Sequence, residues 1–249
     1  MNILALIPAR MGSSRFPGKP MAPILGKPMI GHVFDRVKQS PMLALTAVAT
    51  CDQEIYDYVE SIGGVAVMTS STHERASDRC AEALIKLERE RNTRYDIVVM
   101  VQGDEPMTHP DMIAEAVQPL IDDASVQVVN LLGNIKSTEE FEDRNCIKVV
   151  CDLAQNAIFF SREPIPTRCK VDQIPMHKQV CIIPFRRDFL LEYNTLAPTP
   201  LEIAESVDMM RVLEHGMKVR MAPTCHDTHA VDSPEDLKKV ERLMQGLDG

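Results

Sequence analysis

The chain has 249 residues, of which 45% are hydrophobic and 25% are charged, so it can bury a sizeable core and disorder is not expected. Its formal net charge of −9 disfavours nucleic acids and anionic membranes as partners, although a local cluster of cations can still hold a small anion. The first residues lack the features of a signal peptide, no apolar run is long enough to cross a bilayer, and the 7 cysteines include no C-x-x-C pair. We therefore expect a cytoplasmic protein with reduced thiols.

Short apolar runs alternate with helical patterns through residues 1–120. The predicted strands are Ile3–Ile7, Leu43–Ala49, Val65–Met68 and Ile97–Val101. The predicted helices begin near Pro28, Asp52, Ser77 and Pro110. This alternation predicts an α/β fold with a Rossmann-like, mostly parallel sheet and helices on both faces.

The second half of the chain contains strands that follow one another closely. They are predicted at Val126–Leu132, Lys148–Cys151, Ala157–Phe160 and Val180–Phe185, and two helical patterns follow at 206–215 and 234–245. The close spacing suggests hairpins that project from the sheet, and no linker interrupts the chain. We predict one domain over residues 1–249 with a β-rich insert at about 145–185.

A cationic loop follows the first predicted strand. Residues 8–20 read P-A-R-M-G-S-S-R-F-P-G-K-P and place Arg10, Arg15 and Lys19 among small residues whose backbone N–H groups are accessible to a ligand. Arginine can grip phosphate oxygens in a bidentate manner, and lysine acts on them as a point charge. The glycine spacing fits neither a P-loop nor a dinucleotide fingerprint. The residues alone leave two interpretations open, a phosphate-binding loop and a solvated basic loop.

A carboxylate follows the fourth predicted strand, in the string Q-G-D-E-P at residues 102–106. In open α/β sheets ligands bind at the carboxyl ends of the strands, so loops 8–27 and 102–109 are expected to face the same crevice. Asp104 is suited to holding Mg²⁺, which prefers oxygen ligands. The alternative is that Asp104 only caps a turn in which Gly103 supplies a positive φ.

A second carboxylate opens the last helical pattern, in the string V-D-S-P-E-D-L at residues 231–237. Asp232 or Ser233 is typical of a helix N-cap and Pro234 of the first helical position, so local physics alone explains the string. A metal-binding role for Asp232 is compatible with that interpretation.

The three strings together resemble the signatures of the CMP-sugar synthetases, most closely of the 3-deoxy-manno-octulosonate (Kdo) cytidylyltransferases. The resemblance implies that Arg10, Lys19, Asp104 and Asp232 are the catalytic residues, with Asp104 and Asp232 as ligands of Mg²⁺. It also implies nucleotide contacts from Pro8, Ala9, Gly12, Ser13, Arg15, Gln102 and Gly103. The implied reaction joins CMP from CTP to the anomeric hydroxyl of an acidic 2-keto-3-deoxy sugar and releases pyrophosphate. The family further suggests a homodimer joined through the β-rich insert.

Weaker matches extend the resemblance through the middle of the chain. Residues 73–79, H-E-R-A-S-D-R, are similar to a family motif that helps to bind the nucleotide, which implies roles for Ser77 and Arg79, although Ala76 replaces the family's glycine. On the sugar side the resemblance assigns Arg162, His177, Glu202 and Asp208.

Two departures fall where the family binds its sugar. The usual G-I-Y-G-Y-R strand is V-C-I-I-P-F-R at residues 180–186, and the usual E-Q-L-R is D-M-M-R at residues 208–211. A site that loses polar groups should reject substrates that need them. The acceptor therefore stays open among Kdo, an amino-Kdo and a sialic-type nonulosonate, and a non-catalytic nucleotide-binding protein is the further alternative.

Overall fold

The computed structural model describes residues 1–12, 16–167 and 175–247, which form two compact units. The first unit comprises Met1–Ala114 and Thr228–Gly249, and the second comprises Glu115–Asp227. Within the described residues no helix has both the length and the apolar composition needed to span a membrane.

The first unit is built on a parallel sheet. Its strands are β1 (Ile3–Ala9), β4 (Leu45–Thr50), β5 (Val65–Met68) and β6 (Ile97–Val101), in the spatial order β6-β1-β4-β5. A small antiparallel pair, β2 (Pro23–Ile24) and β3 (Lys27–Pro28), lies inside the region predicted as a loop. The unit's helices are α1 (Met29–Val37), α2 (Gln53–Ser61), α3 (Ala76–Arg91) and α9 (Pro234–Leu247). The prediction of an α/β fold with a parallel sheet is confirmed.

The unbroken burial of β1 explains why the sequence predicts this sheet correctly. All seven residues of Ile3–Ala9 are buried, and so are all five residues of Ile97–Val101. A strand buried on both faces has no polar alternation, which is typical of the inner strands of a parallel sheet.

The second unit contains a mixed sheet. Its strands are β7 (Val129–Asn134), β8 (Lys148–Cys151), β9 (Ala157–Ser161), β10 (His177–Val180) and β12 (Arg220–Pro223), whereas β11 (Ile182–Arg186) lies in the same stretch of the chain but outside this sheet. The order is β12-β7-β10-β8-β9, with β7 and β12 parallel and the other neighbours antiparallel. Helix α4 (Pro110–Asp122) crosses the boundary between the units in the chain. Four short helices complete the described elements: α5 (Thr138–Glu142), α6 (Arg187–Tyr193), α7 (Pro200–Glu205) and α8 (Met209–Glu214).

The predicted strand at 180–185 is two strands in the structure. Strand β10 ends at Val180 and β11 begins at Ile182, with a break at Cys181. Strand β10 pairs with β7 and β8, whereas Phe185 of β11 forms an isolated bridge with Val128. An apolar run does not mark where a strand changes neighbours. The predicted use of residues 145–185 in dimerisation stays a prediction.

A hydrophobic cluster fixes helix α9 within the first unit. Val231, Val240 and Met244 from the last part of the chain pack with Ile24 and Met29. All five side chains are almost fully buried. Burying a large aliphatic side chain contributes about 1.5–3 kcal/mol, so this cluster holds the residues around position 232 firmly in place.

Gly103 lies where the backbone after β6 passes close to the backbone of Pro8 in β1. Its φ is not positive, so the proposed turn role with positive φ is wrong. A Cβ at this position would lie 3.1 Å from the carbonyl oxygen of Pro8 and 3.4 Å from Cδ1 of Ile30. The glycine therefore lets the turn after β6 pass close to the end of β1.

We predict that Gly103→Ala lowers the free energy of unfolding by about 1–3 kcal/mol, because the added methyl group overpacks this contact. Gly246→Ala is the matched control, since a Cβ on Gly246 in α9 meets nothing within 4 Å. Urea denaturation of both variants measures the difference. Equal stability of the two variants would contradict the close-approach argument.

Candidate active site

The loop after β1 is tied to the loop after β4. The backbone N–H of Met11 donates to Oδ2 of Asp52 at 2.8 Å. The N–H of Gly18 donates to the carbonyl of Met11 at 3.0 Å, and Gly18 has a φ of 74°, which favours glycine. These two bonds close the base of the loop. Lys19 then begins a short 3-10 turn, Lys19–Met21.

Lys19 lies between the two aspartates that the sequence singled out. Its Nζ is 2.8 Å from Oδ2 of Asp104 and 3.4 Å from Oδ1 of Asp232. The side chains are only 14%, 26% and 22% exposed, respectively. Residues 19, 104 and 232 thus meet within the first unit, as the sequence motifs predict.

A backbone bond brings the two carboxylates together. The N–H of Val231 donates to the carbonyl oxygen of Asp104 at 2.9 Å, so the segment before α9 adds onto the turn after β6. The helix cap is formed by Ser233 and Asp236: the Asp236 N–H donates to Ser233 Oγ at 3.2 Å, and Asp236 Oδ2 accepts from the Ser233 N–H at 2.9 Å. The helix-cap interpretation of the string is therefore confirmed for Ser233, and the metal-binding role of Asp232, whose carboxylate contacts Lys19, stays a prediction.

The electrostatics of Lys19 keep it charged. Burial would lower the pKa of Lys19, but the ion pairs with Asp104 and Asp232 outweigh burial and raise it above its ordinary value. A charged lysine between two carboxylates offsets their mutual repulsion. The Lys19 nitrogen thus contacts two carboxylates at once, those of Asp104 and Asp232.

The segment after β5 lies at the same edge of the sheet. The N–H of Thr69 donates to the carbonyl of Thr50, the last residue of β4, at 2.8 Å. Arg79, which is buried, donates from Nη1 to Thr69 Oγ1 at 2.6 Å, and Ser77 is also fully buried. Arg79 thus supports the loop from inside, and contact of Ser77 or Arg79 with a nucleotide stays a prediction.

The remaining nucleotide candidates are placed as follows. Pro8 and Ala9 end β1 and are buried, Arg10 and Gly12 are exposed, and Gln102 is half-buried beside Gly103. Ser13 and Arg15 lie outside the described residues.

In the second unit, two predicted sugar-binding residues are engaged within the protein. The guanidinium of Arg162 donates to the backbone carbonyls of Glu205, Arg144 and Ser206 at 2.6, 2.9 and 3.3 Å. Glu202 is fully buried, and its carboxylate accepts two bonds of 2.8 Å from Arg211. Direct contact of Arg162 or Glu202 with a substrate stays a prediction, and their visible role is to stabilise the fold.

The other two sugar-side candidates are His177 and Asp208. Burial lowers the pKa of His177, and a hydrogen bond with the backbone of Gly133 opposes this only in part, so the imidazole is neutral at pH 7. The carbonyl of Asp208 accepts from the Tyr193 hydroxyl at 3.0 Å. Their roles toward a sugar also stay predictions.

Two site residues were missed by sequence reasoning. Asp52, where a helix is predicted to begin, is the N-cap residue of α2 but makes no side-chain capping bond; its carboxylate accepts from the Met11 N–H instead. Glu82 in α3 accepts from the Ser70 N–H at 2.9 Å and from Lys86 at 2.7 Å, and it also contacts His73. The position of Asp52, just after β4, resembles that of Asp104 after β6 and was the available signal.

Comparisons with known proteins agree with this geometry. The profile of the family described as cytidylyltransferase matches residues 4–219. A 3-deoxy-manno-octulosonate cytidylyltransferase of Geobacter metallireducens is 42% identical over 98% of this chain and 99% of its own length. One of the same name from Geotalea uraniireducens is 42% identical over 98% of this chain and 100% of its own length.

Solved structures show the same fold. A CMP:2-keto-3-deoxy-manno-octonic acid synthetase complexed with CTP has a TM-score of 0.90 and 37% identity, with 99% of both chains covered. A cytidylyltransferase from Leptospira borgpetersenii, at 19% identity, has a TM-score of 0.63 over 98% of this chain and 87% of its own, which shows likeness of fold alone.

The family profile and the relatives at 42% identity show that the chain is a nucleotidyltransferase. More particularly, the chain belongs to the cytidylyltransferase family.

We predict that Glu82 contributes stability that depends on pH. Burial would raise the pKa of Glu82, but hydrogen bonds from Lys86, Ser70 and His73 outweigh burial and lower it from 4.5 to about 2. Because the folded-state pKa is the lower one, this contribution is fully present above pH 4.5 and is lost as the pH falls towards about 2.

The test is to measure the free energy of unfolding in urea between pH 6 and pH 3 for the wild type and Glu82→Gln. Glu90→Gln is the control, because Glu90 is an exposed residue of the same helix. The stability gap between wild type and Glu82→Gln should narrow as the pH falls. A gap that stays constant with pH, or one equal to that of the control, would speak against the assignment.

Proposed function

We propose that this protein transfers CMP from CTP to the anomeric hydroxyl of 3-deoxy-manno-octulosonate (Kdo) and releases pyrophosphate. The observation that carries the proposal is the meeting of Lys19, Asp104 and Asp232 at the carboxyl edge of a parallel sheet. The names of relatives at 42% identity, and the CTP complex of a structure at 37% identity, support CTP and Kdo as the substrates.

The residues present fit a divalent cation of the Mg²⁺ type. Oxygen is the ligand that Mg²⁺ prefers, and it is commonly held by one or two carboxylates together with substrate phosphates. Asp104 and Asp232 supply such oxygens, and both already contact a single cationic nitrogen. When bound there, Mg²⁺ neutralises charge on the phosphate oxygens and lowers the pKa of the attacking hydroxyl.

Lys19 has a second task in this proposal. Its ammonium group lies 2.8 Å from Asp104 and 3.4 Å from Asp232 and would add a positive charge beside the triphosphate. Arg10, which is exposed beside the loop base, adds a second positive charge. Two cations on one loop would offset the negative charge of the triphosphate.

In the reaction, the anomeric oxygen forms a bond to the α-phosphorus, and the bond from the α-phosphorus to the bridging oxygen breaks. The electron pair leaves with pyrophosphate, and the hydroxyl proton passes to solvent. Lys19 and Arg10 stabilise charge on the departing phosphates, and Asp104 and Asp232 are the residues that would hold a divalent cation. Alignment and charge neutralisation account for the catalysis, with no covalent intermediate.

The acceptor is the least constrained part of the proposal. Strand β11 buries Ile182, Ile183 and Phe185, and Phe185 packs against the rings of Phe189 and Tyr193. Apolar side chains of this strand are thus buried where the family has tyrosines. Pyrophosphate release with CTP, measured across Kdo, 8-amino-Kdo and a nonulosonate, identifies the acceptor, and no turnover with any of them would overturn the proposed function. The expected homodimer and cytoplasmic location stay predictions.

We predict that Asp104→Asn reduces kcat for pyrophosphate release by at least about 10²-fold and leaves the unfolding transition in place, because it removes a charged oxygen ligand without changing size. Asp57→Asn is the control, since Asp57 is an exposed residue of α2 that accepts a bond of 2.7 Å from Gln53, one turn earlier in the same helix. Near-wild-type turnover by Asp104→Asn would exclude this carboxylate from the reaction.

Lys19→Met is expected to raise KM for CTP roughly 10- to 100-fold, since a hydrogen bond to a charged group contributes about 1.5–3 kcal/mol. Methionine keeps the length of the side chain and removes the charge. Lys27→Met serves as control, because Lys27 pairs with Asp35 in the same unit. A KM for CTP that moves equally in both variants would contradict a direct role for Lys19.

A further inference from the structure

Three side chains with metal-binding atoms lie together in the second unit, in a place that the proposed function does not use. Glu115 belongs to α4, and Cys225 and His226 follow β12. Their potential ligand atoms, a carboxylate oxygen, a thiol sulfur and a ring nitrogen, all lie within 4.8 Å of one another. His226 Nε2 and Glu115 Oε1 are 3.9 Å apart.

Glu115 presents an oxygen that the surrounding protein does not satisfy. Its Oε2 is buried and has no hydrogen-bond partner within the described part of the chain. Leaving a buried oxygen of a charged group unsatisfied costs about 1–3 kcal/mol or more, so such atoms normally face a ligand. The side chains of Glu115 and His226 are 28% and 25% exposed, and Cys225 is exposed, so an ion can enter from solvent.

The segment that carries the thiol and the imidazole is anchored in the sheet. The N–H of Thr224 donates to the carbonyl of Leu132 at 2.9 Å, and the N–H of His226 donates to Thr224 Oγ1 at 3.2 Å. Asp227 forms an ion pair with Lys136. Backbone and side-chain bonds on both sides therefore fix residues 225 and 226 close to α4, without requiring a metal to do so.

We propose that Glu115, Cys225 and His226 form a binding site for a zinc-type transition-metal ion, with a fourth position for water. Tetrahedral zinc has bonds of about 2.0–2.3 Å, which place its ligand atoms roughly 3.3–3.7 Å apart. The observed separations between the ligand atoms are within 4.8 Å. Side-chain rotations that move these atoms by about 1 Å therefore complete the tetrahedral geometry.

The chemistry of the three groups selects against Mg²⁺ and in favour of zinc. Thiolate and imidazole are ligands that zinc prefers, whereas Mg²⁺ requires oxygen ligands in near-ideal octahedral geometry. A thiolate, a carboxylate and a neutral imidazole carry a combined charge of −2, which a divalent cation neutralises. Binding releases the thiol proton of Cys225 to solvent, and no electron is transferred. The site is thus distinct in kind from the all-oxygen pair Asp104 and Asp232.

The test uses the full-length protein, stripped with a chelator and then titrated with Co²⁺ in buffer that contains excess Mg²⁺ to occupy oxygen sites. Co²⁺ reports a thiolate ligand through a charge-transfer absorption in the near ultraviolet, and Zn²⁺ should displace it. We expect one Co²⁺ per chain with this absorption in the wild type, and its loss in Cys225→Ser.

Matched variants separate a coordinated metal from a simple ion pair. His226→Asn and Glu115→Gln should weaken Co²⁺ binding by at least about tenfold, as loss of groups around a metal does. Cys151→Ser is the control, because burial raises the pKa of Cys151 to about 11 and so disfavours a thiolate there. It should leave the absorption unchanged.

The proposal fails if the wild type shows no thiolate absorption with Co²⁺, or if the absorption persists in Cys225→Ser. Either result would leave Glu115 and His226 as an ordinary ion pair. The outcome is independent of the proposed function: a protein inactive on every sugar acid would still show the Co²⁺ spectrum, and an active one would still lack it if this site does not exist.

Discussion

The ion pairs of Lys19 with Asp104 and Asp232 are the interaction on which the site depends. They join three positions that are far apart in the sequence, and each position is held by its own local structure: a closed loop, a glycine that permits close approach, and a capped helix. Two carboxylates at such proximity repel each other, and a cation between them lowers that repulsion. Lys19 supplies this cation in the structure.

The same contact explains how two aspartates can lie close together in a half-buried place. The lysine ammonium group offsets the charge of one of the two carboxylates. In the proposed reaction these three groups, already close together, would hold a divalent cation and the triphosphate. Preorganisation of this kind is the main way in which a protein lowers the barrier of a phosphoryl or nucleotidyl transfer, which needs alignment and charge more than a nucleophile.

Sequence reasoning predicted the parts of the molecule that local patterns control. The buried strands of the parallel sheet and the roles of Asp104 and Asp232 as neighbours followed from apolar runs, strand ends and motif resemblance. It did not predict the break at Cys181, the bond from Met11 to Asp52 or the burial of Glu202 against Arg211, because these tertiary contacts leave no mark in the adjacent residues. A buried ion pair and an exposed substrate contact require the same residue types, so composition cannot separate them.

The first unit is discontinuous, because residues 228–249 return to complete a structure begun by residues 1–114. During synthesis, the carboxylate of Asp232 and the Val231 backbone bond to Asp104 become available only after the whole second unit has left the ribosome. The cationic loop is thus synthesised long before the Asp232 carboxylate that pairs with Lys19. The charge cluster around Lys19 is therefore completed only once the segment around Asp232 has been made.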